Sequence, residues 1–408
     1  MKNVIVGQSG GPTAVINSSL LGVFKTARDR GADIVYGMVH GIKGLLDGKI
    51  VDLSKQIKND LDMDLLKRTP SSFLGSCRYK LPDVEGHEEE YERIFKILND
   101  LEIYAFFYIG GNDSMDTIQK LSDYGKSVNS PIRFMGVPKT IDNDLAVTDH
   151  TPGYGSAAKY IASTTKEIIR DGLVYDYPVV SVMEVMGRNA GWLTAAAALA
   201  RSEDCEGVDL ICLPERVFDL DKFLARVGEL CRAKGSAVIA VSEGVKIADG
   251  RYVCELADHV DYVDAFGHKQ LTGTARFLVA KVAEKYGVKT RAIELSSLQR
   301  CASHITSRID VTEAFNAGGA AVKAAFEGMS GQVITLKRIS DDPYMCVTEP
   351  TDVRFIANVE KKVPDEWIDE DGMGVKEALV HYIRPLIQAE IAPLWVDGLP
   401  RHLILHEE

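Results

Sequence analysis

Six short runs of aliphatic, β-branched and aromatic residues, each closing on Gly or Pro, alternate with longer stretches of helical spacing, and this alternation limits the fold more than any other feature. The runs are NVIVG (3–7), AFFYIGG (105–111), RFMGVP (133–138), PVVSVMEVMG (178–187), VDLICLPE (208–215) and SAVIAVSEG (236–244). A strand that is apolar throughout, and not only at every second position, is covered on both faces. Segments 153–170, 190–202 and 312–328 carry helical spacing, with Gly or Pro at the joints. The pattern predicts an α/β protein with two doubly wound domains and parallel-rich sheets, and 408 residues suffice for both. From about residue 338 the chain becomes acidic and turn-rich, with DDPYMCVTEPTDVRF and VPDEWIDEDGMG, before a helical VKEALVHYIRPLIQAE. This part reads as a C-terminal extension wrapped on the body, not as a domain of its own.

The balance of 47 basic against 59 acidic residues, a net charge of −12, is spread along the sequence. It argues against nucleic acid or an anionic membrane as a partner, so an anionic substrate needs a local basic cluster. The seven cysteines are scattered without a CxxC pair, as expected of reduced thiols. His402 and His406 are the nearest thing to a metal pair, and they read as part of a solvated tail. The opening MKNVIVGQSGG has too short an apolar stretch for a signal peptide, and no run is long enough to span a membrane. The expectation is a cytoplasmic protein.

In open α/β sheets ligands bind beyond the carboxyl ends of the strands. Three such junctions are rich in Gly and small polar residues: VGQSGGPTAVIN (6–17), YIGGNDSMDT (108–117) and VPKTIDNDLAVTDH (137–150). The first sets Gly10, Gly11 and Thr13 between strand and helix, where backbone N–H groups can face a phosphate. A tight turn without a ligand accounts for it equally well. In the second, capping explains Asp113 or Ser114 at a helix start but not the paired Gly110 and Gly111, which let a ligand lie against the backbone. The third joins a lysine, a threonine and two aspartates, a workable set for phosphoryl transfer: one carboxylate to take a proton, one to hold metal, one cation on the moving group. Taken alone it is also an Asx-rich turn.

GGNDS, PKTIDND, MEVMGRNAGWLT and TRAIELSSLQR occur in that order, and together they resemble the 6-phosphofructokinase family over most of residues 1–330. The rest looks like the C-terminal part of long, pyrophosphate-using members. The resemblance implies that Asp142 is the base on the sugar 1-hydroxyl, with Thr140 on the transferring phosphoryl group and Lys139 on the donor. It places Mg²⁺ with Asp144, Asn112 and Asp113, and the donor against Gly10, Gly11, Gly111, Asp113, Ser114 and Arg78. Met186, Gly187, Arg188, Glu243, Arg291 and Arg300 would bind fructose 6-phosphate. It further implies a donor domain of residues 1–152 with 299–360, a sugar domain of 153–298 with 361–408, and a homodimer or homotetramer with sugar sites at a two-fold interface.

Three positions depart from the pattern. Ser297 stands where many members have a histidine, which leaves a hydrogen bond to the 6-phosphate but no cationic contact. Val179 stands where ATP-using bacterial members have an arginine, and Tyr382 or Arg384 in the extension could supply the lost contact. Asn112 occupies the place of a metal-side aspartate, where an amide oxygen still ligates but adds no charge.

ATP-using members read GGDGS and PGTIDND, with glycine where this chain has Asp113 and Lys139. A carboxylate at that point meets the α-phosphate of ATP with bulk and like charge, and a lysine offers a point charge to a small anionic donor. Both favour pyrophosphate, unless Asp113 merely caps its helix and Lys139 faces solvent. The alternatives are an ATP-dependent 6-phosphofructokinase and a pyrophosphate-dependent sedoheptulose 7-phosphate kinase. The NAD kinase group does not explain the later motifs, and a non-catalytic sensor would not keep Asp142.

Overall fold

The computed structural model describes residues 2–256 and 271–406. Its larger sheet holds seven strands in the order β11–β10–β5–β4–β1–β2–β3. These are β1 (Asn3–Gln8), β2 (Val35–Met38), β3 (Ile50–Asp52), β4 (Ile103–Gly110), β5 (Arg133–Pro138), β10 (Gln332–Asp341) and β11 (Tyr344–Asp352). The five central strands run parallel, and β3 and β11 close the edges antiparallel. The smaller sheet, β7–β8–β6–β9, is wholly parallel and comprises β6 (Val179–Val185), β7 (Leu210–Cys212), β8 (Ser236–Ser242) and β9 (Lys289–Glu294).

Alternate strand residues feed separate cores. Val4, Val6, Ala105 and Phe107 face the cluster under helices Ile16–Asp29 and Arg308–Phe326, while Ile5, Phe106, Tyr108 and Phe134 face the one under helices Glu88–Asp100 and Asn112–Ser127. The smaller sheet splits likewise, Met183 and Val185 to one side and Val180 and Val182 to the other. A strand buried on both faces has no polar phase, which is why these runs are apolar throughout. Helices Ile16–Asp29 and Arg308–Phe326 cross so closely that a Cβ on Gly22 would lie 2.1 Å from the Phe315 carbonyl oxygen. That crossing holds the helix that follows the Gly10–Gly11 turn.

The acidic region after residue 338 differs from its reading as turns. Residues 332–352 form a hairpin that extends the larger sheet through β10 against β5. Along β11, exposed and partly covered residues alternate, so its apolar residues are diluted by polar ones and no run stands out in the sequence. The helix expected over VKEALVHYIRPLIQAE is shorter, Glu377–Ile383, and Pro385 opens a 3₁₀ turn after it. The extension divides between the two bodies. Leu379, Val380, Ile383 and Leu386 join the core of the smaller sheet, whereas Leu403 and Leu405 pack on that of the larger. The Leu403 N–H donates to Thr69 Oγ1 (2.9 Å), and the His406 N–H to Gln56 Oε1 (3.1 Å).

No described helix is long and apolar enough to cross a membrane. The seven cysteines are free. His402 and His406 are exposed, and among the described residues no three His, Cys, Asp or Glu side chains are grouped so as to hold a metal ion by themselves.

Candidate active site

Strands β1, β4 and β5 lie in register, Gln8 beside Ile109 and Gly110 beside Pro138, so their three glycine-rich or polar exits open at one edge. The smaller sheet turns the ends of β6 and β8 toward the same place. Between them lies a cavity of about 640 Å³. One wall carries Gly10, Gly11, Gly111, Asn112, Asp113, Ser114, Lys139 and Arg78, and the facing wall Met186, Gly187, Arg188, Glu243 and Arg300. Thr140, Asp142 and Asp144 lie between the walls. The structure brings these sequence-picked residues into a single cleft.

Each backbone feature has a local cause. Gly10 has φ +76°, a left-handed turn that lets β1 end abruptly before its helix. Gly187, at φ +129°, closes the turn after β6; a Cβ there would meet the Ala190 carbonyl oxygen at 2.5 Å. Ser242 Oγ ties that turn to β8 by donating to the Gly187 carbonyl (2.6 Å). Gln299, buried beside Arg300, accepts from the Met186 N–H at 3.3 Å and so joins two motifs far apart in the chain.

Lys139 is 2% exposed, and its Nζ donates to the Gly11 carbonyl (2.7 Å), so it reaches into the Gly10–Gly11 turn and not to solvent. Burial pushes its pKa down to about 8, against the opposing fields of Asp142 and Asp144. The Asp142 N–H donates to Thr140 Oγ1 (3.1 Å), which fixes the loop that presents the carboxylate. Burial raises the Asp142 carboxyl above the ordinary range, although Lys139, Thr140, Arg300 and Arg188 all pull it down. Asp144 is pushed up to about 7 by burial and then by Asp142, and Glu243 to about 8 by burial and then by Asp142. Asn112 Oδ1 is buried with no partner.

Four residues expected to contact the sugar lie outside this cleft. Arg291, on the edge strand β9, pairs with Asp171 and sits over the Tyr175 ring, and Ser297 is exposed nearby. Tyr382 packs between Trp192 and Trp367, and its hydroxyl accepts from Asn143 Nδ2 (2.9 Å) and donates to the Asp149 carbonyl (2.5 Å). It braces the loop that carries Asp142 and Asp144 from behind. Arg384 lines a separate cavity of about 390 Å³ with Arg201 and Arg226. Tyr382, in helix Glu377–Ile383, is held by the Trp192 and Trp367 rings, and Arg384 lies in the 3₁₀ turn that follows the helix.

Sequence reading missed Asn189, Asn358 and Glu360, which also line the cleft. Asn189 directly follows MGR and was a readable neighbour. Asn358 and Glu360 come from the extension, where a bridge between Leu145 and Glu360 brings it alongside the loop of Asp142 and Asp144, and nothing local in the sequence announces that contact.

Two doubly wound bodies, a glycine-lined anion cradle on one wall and a carboxylate–arginine set on the other define a phosphotransferase of the α/β class. Residues 3–325 match the family model described as Phosphofructokinase, and the chain belongs to that family. It is 41% identical over 408 residues to the pyrophosphate--fructose 6-phosphate 1-phosphotransferase of Methylococcus capsulatus, covering 99% of this chain and 96% of that one. It is 40% identical to the protein of the same name from Halomonas elongata, over 98% and 95% of the two chains. The crystal structure of a pyrophosphate-dependent phosphofructokinase from Nitrosospira multiformis superposes with a TM-score of 0.88 at 38% identity, covering 98% of this chain and 95% of that one.

Proposed function

We propose that the protein transfers a phosphoryl group reversibly from pyrophosphate to the 1-hydroxyl of fructose 6-phosphate, giving fructose 1,6-bisphosphate and phosphate. The observation that carries the choice of donor is the pairing of Asp113 and Lys139 on one wall, with the lysine buried and drawn into the Gly10–Gly11 turn. The Asp113 carboxylate on the donor wall opposes a nucleotide's extra phosphate, while a buried ammonium attracts a compact polyanion. The names of the relatives from Methylococcus and Halomonas agree with this reading.

Asp142 takes the proton of the sugar hydroxyl as the new O–P bond forms and the bridging P–O bond of pyrophosphate breaks. Its raised pKa makes it a better acceptor for an alcohol proton than an ordinary carboxylate. Lys139, Arg78 and Arg300 offset charge on the phosphates, and Thr140 orients the moving group. Glu243 accepts from sugar hydroxyls, beside Met186, Gly187 and Arg188. Because the protein forms no covalent bond to the phosphoryl group, positioning and charge do most of the work.

A divalent cation suits the residues present. The unpartnered Asn112 Oδ1 and the raised carboxyls of Asp142 and Asp144 are the groups a cation would satisfy and lower. Mg²⁺ held by Asp144 and Asn112, with Asp113 nearby and the donor oxygens completing its shell, would neutralise charge on the transferring phosphoryl group.

Arg291 and Ser297 act, in this reading, on the 6-phosphate in the cleft of a second copy, within a homodimer or a homotetramer built from such pairs. The edge of β9 beside Leu173, Val174, Tyr177 and Leu298, all exposed and apolar, is the face that would pair. The soluble interior of the cell, where both substrates occur, is the compartment proposed.

The deciding assay measures fructose 6-phosphate phosphorylation with Mg²⁺ and either pyrophosphate or ATP at matched concentrations. Pyrophosphate should support turnover at least roughly 100-fold better than ATP, and Asp113→Gly with Lys139→Gly should narrow the gap. Equal or better turnover with ATP would sink the donor assignment. Turnover of sedoheptulose 7-phosphate in preference to fructose 6-phosphate would sink the acceptor assignment.

A further inference from the structure

The loop that carries Asp142 and Asp144 is held from behind by the extension. Two of its residues are left-handed although neither is glycine: Asn143 at φ 55° and Val147 at φ 66°. For a β-branched side chain that conformation is rare, and it persists only where surrounding contacts over-determine it. Those contacts converge on Lys361. Its N–H donates to the Asp144 carbonyl (2.7 Å), and its Nζ donates to the carbonyls of Asp149 (2.6 Å) and Thr148 (3.1 Å). At 3.5 Å the same Nζ reaches Asn143 Oδ1, which itself accepts from the Thr151 N–H (3.1 Å). Lys361 is in turn anchored by Trp192, whose Nε1 donates to the Lys361 carbonyl (3.0 Å) and whose ring lies 5.1 Å from Nζ.

We propose that Lys361 is a positioning residue for phosphoryl transfer: its ammonium grips residues 143–149 on the side away from the substrates and so fixes the Asp142 and Asp144 carboxylates in the cleft. The inference rests on the function proposed above. An ammonium has three donors, and three oxygens of one loop surround this one. Lys361 is not among the residues that line the cleft, whereas its neighbour Glu360 is, with a carboxylate that accepts from Asn189 Nδ2 (2.8 Å). Burial lowers the Lys361 pKa, while the Asp149 and Asp144 carboxylates favour its charged form. Tyr382 makes the second tie to the same loop, through Asn143 and the Asp149 carbonyl.

The test compares wild type, Lys361→Met and Tyr382→Phe with pyrophosphate, fructose 6-phosphate and Mg²⁺, and follows amide hydrogen exchange over residues 140–151. Methionine keeps the length of the stem and removes the donors. Lys361→Met should lower kcat on the order of 100-fold, as a small misplacement of a catalytic group does. The KM of both substrates should stay within about threefold, since the residues that touch them are unchanged. Exchange should quicken in residues 140–151 and stay as it was in β1, β4 and β6. Tyr382→Phe should show the same pattern to a smaller degree, and the double variant should lose less than the product of the two. An unchanged kcat, a loss carried mainly by KM, or faster exchange throughout both sheets overturns the proposal. Should Lys361→Met not fold, Tyr382→Phe carries the same comparison with the same outcomes. If wild type turns over neither donor with fructose 6-phosphate, the proposed function fails, and the exchange measurement alone decides whether Lys361 holds the loop.

Discussion

Asp142, Asp144 and Glu243 set three carboxyls in one cleft, and burial raises all of them, while the lysine facing them is lowered to about 8. The two directions make a pH window for catalysis. In the proposed reaction Asp142 acts as a deprotonated base, so kcat/KM should rise with pH as it ionises. Lys139 and Lys361 must keep their protons, and both have pKa values near 8, so the rate should fall again as pH passes that value. A profile of kcat/KM from pH 5.5 to 9.5 checks this, and a rate still climbing at pH 9.5 would mean that neither ammonium is needed. At the same scale, Asp142→Asn keeps the shape of the loop but removes the proposed proton acceptor. It should lower kcat by roughly 100- to 10,000-fold with little change in KM, as measured in steady state. Retention of a tenth or more of the wild-type kcat would place the base elsewhere.

The link between the catalytic loop, helix Arg308–Phe326 and the β10–β11 hairpin runs through one buried imidazole. His150 is 1% exposed, with Nδ1 at 2.8 Å from Asp149 Oδ1 and Nε2 at 2.6 Å from Glu313 Oε2. Arg338 from β10 donates to the same Asp149 oxygen (2.9 Å), and the Tyr344 hydroxyl from β11 to Glu313 Oε1 (2.7 Å). Burial alone would push the His150 pKa down, but Glu313 and Asp149 together raise it to about 9. A folded pKa above the unfolded value of about 6.5 means stability fully present below 6.5 and lost as pH rises through about 9. His150→Leu should therefore cost about 3–5 kcal/mol at pH 6, where it takes the shared imidazolium from two carboxylates, and clearly less at pH 9.5. Urea unfolding of both proteins at the two pH values measures the gap, and a gap that widens with pH would overturn the assignment of charge. None of this network was readable in the sequence: His150 lies 163 positions from Glu313, and only the fold brings them together. The strands buried on both faces were readable because burial leaves no room for polar residues. Strands β2, β3, β9, β10 and β11 were not: β2 and β3 are only four and three residues long, and β9, β10 and β11 carry partly covered or exposed residues and a mixed composition.

At the scale of the whole molecule, the loops that carry chemistry were legible because each is short, continuous and dense in unusual residues, as in PKTIDND. The contributions of the extension were not, because Asn358, Glu360, Lys361 and Tyr382 reach the site through packing, with no compact motif of their own. Arg291 and Ser297 show a further limit, since their motif fits a phosphate site while their positions lie outside the cleft of the same chain. If they serve a second copy, activity belongs to a pair of subunits, and two defective chains can repair each other. A chain with Asp142→Asn still lends Arg291 to its partner, and a chain with Arg291→Ala still keeps its own Asp142. Each variant alone should be nearly inactive. Mixed in equal amounts and allowed to exchange subunits, half of the pairs are heterodimers with one complete cleft in two, so about a quarter of wild-type activity should return. Kinetics on the mixture, with size-exclusion chromatography to establish the pairing, decide the matter. Activity that stays at the sum of the two variants, in a sample shown to contain heterodimers, would confine Arg291 to its own chain and leave the 6-phosphate to Arg188 and Arg300.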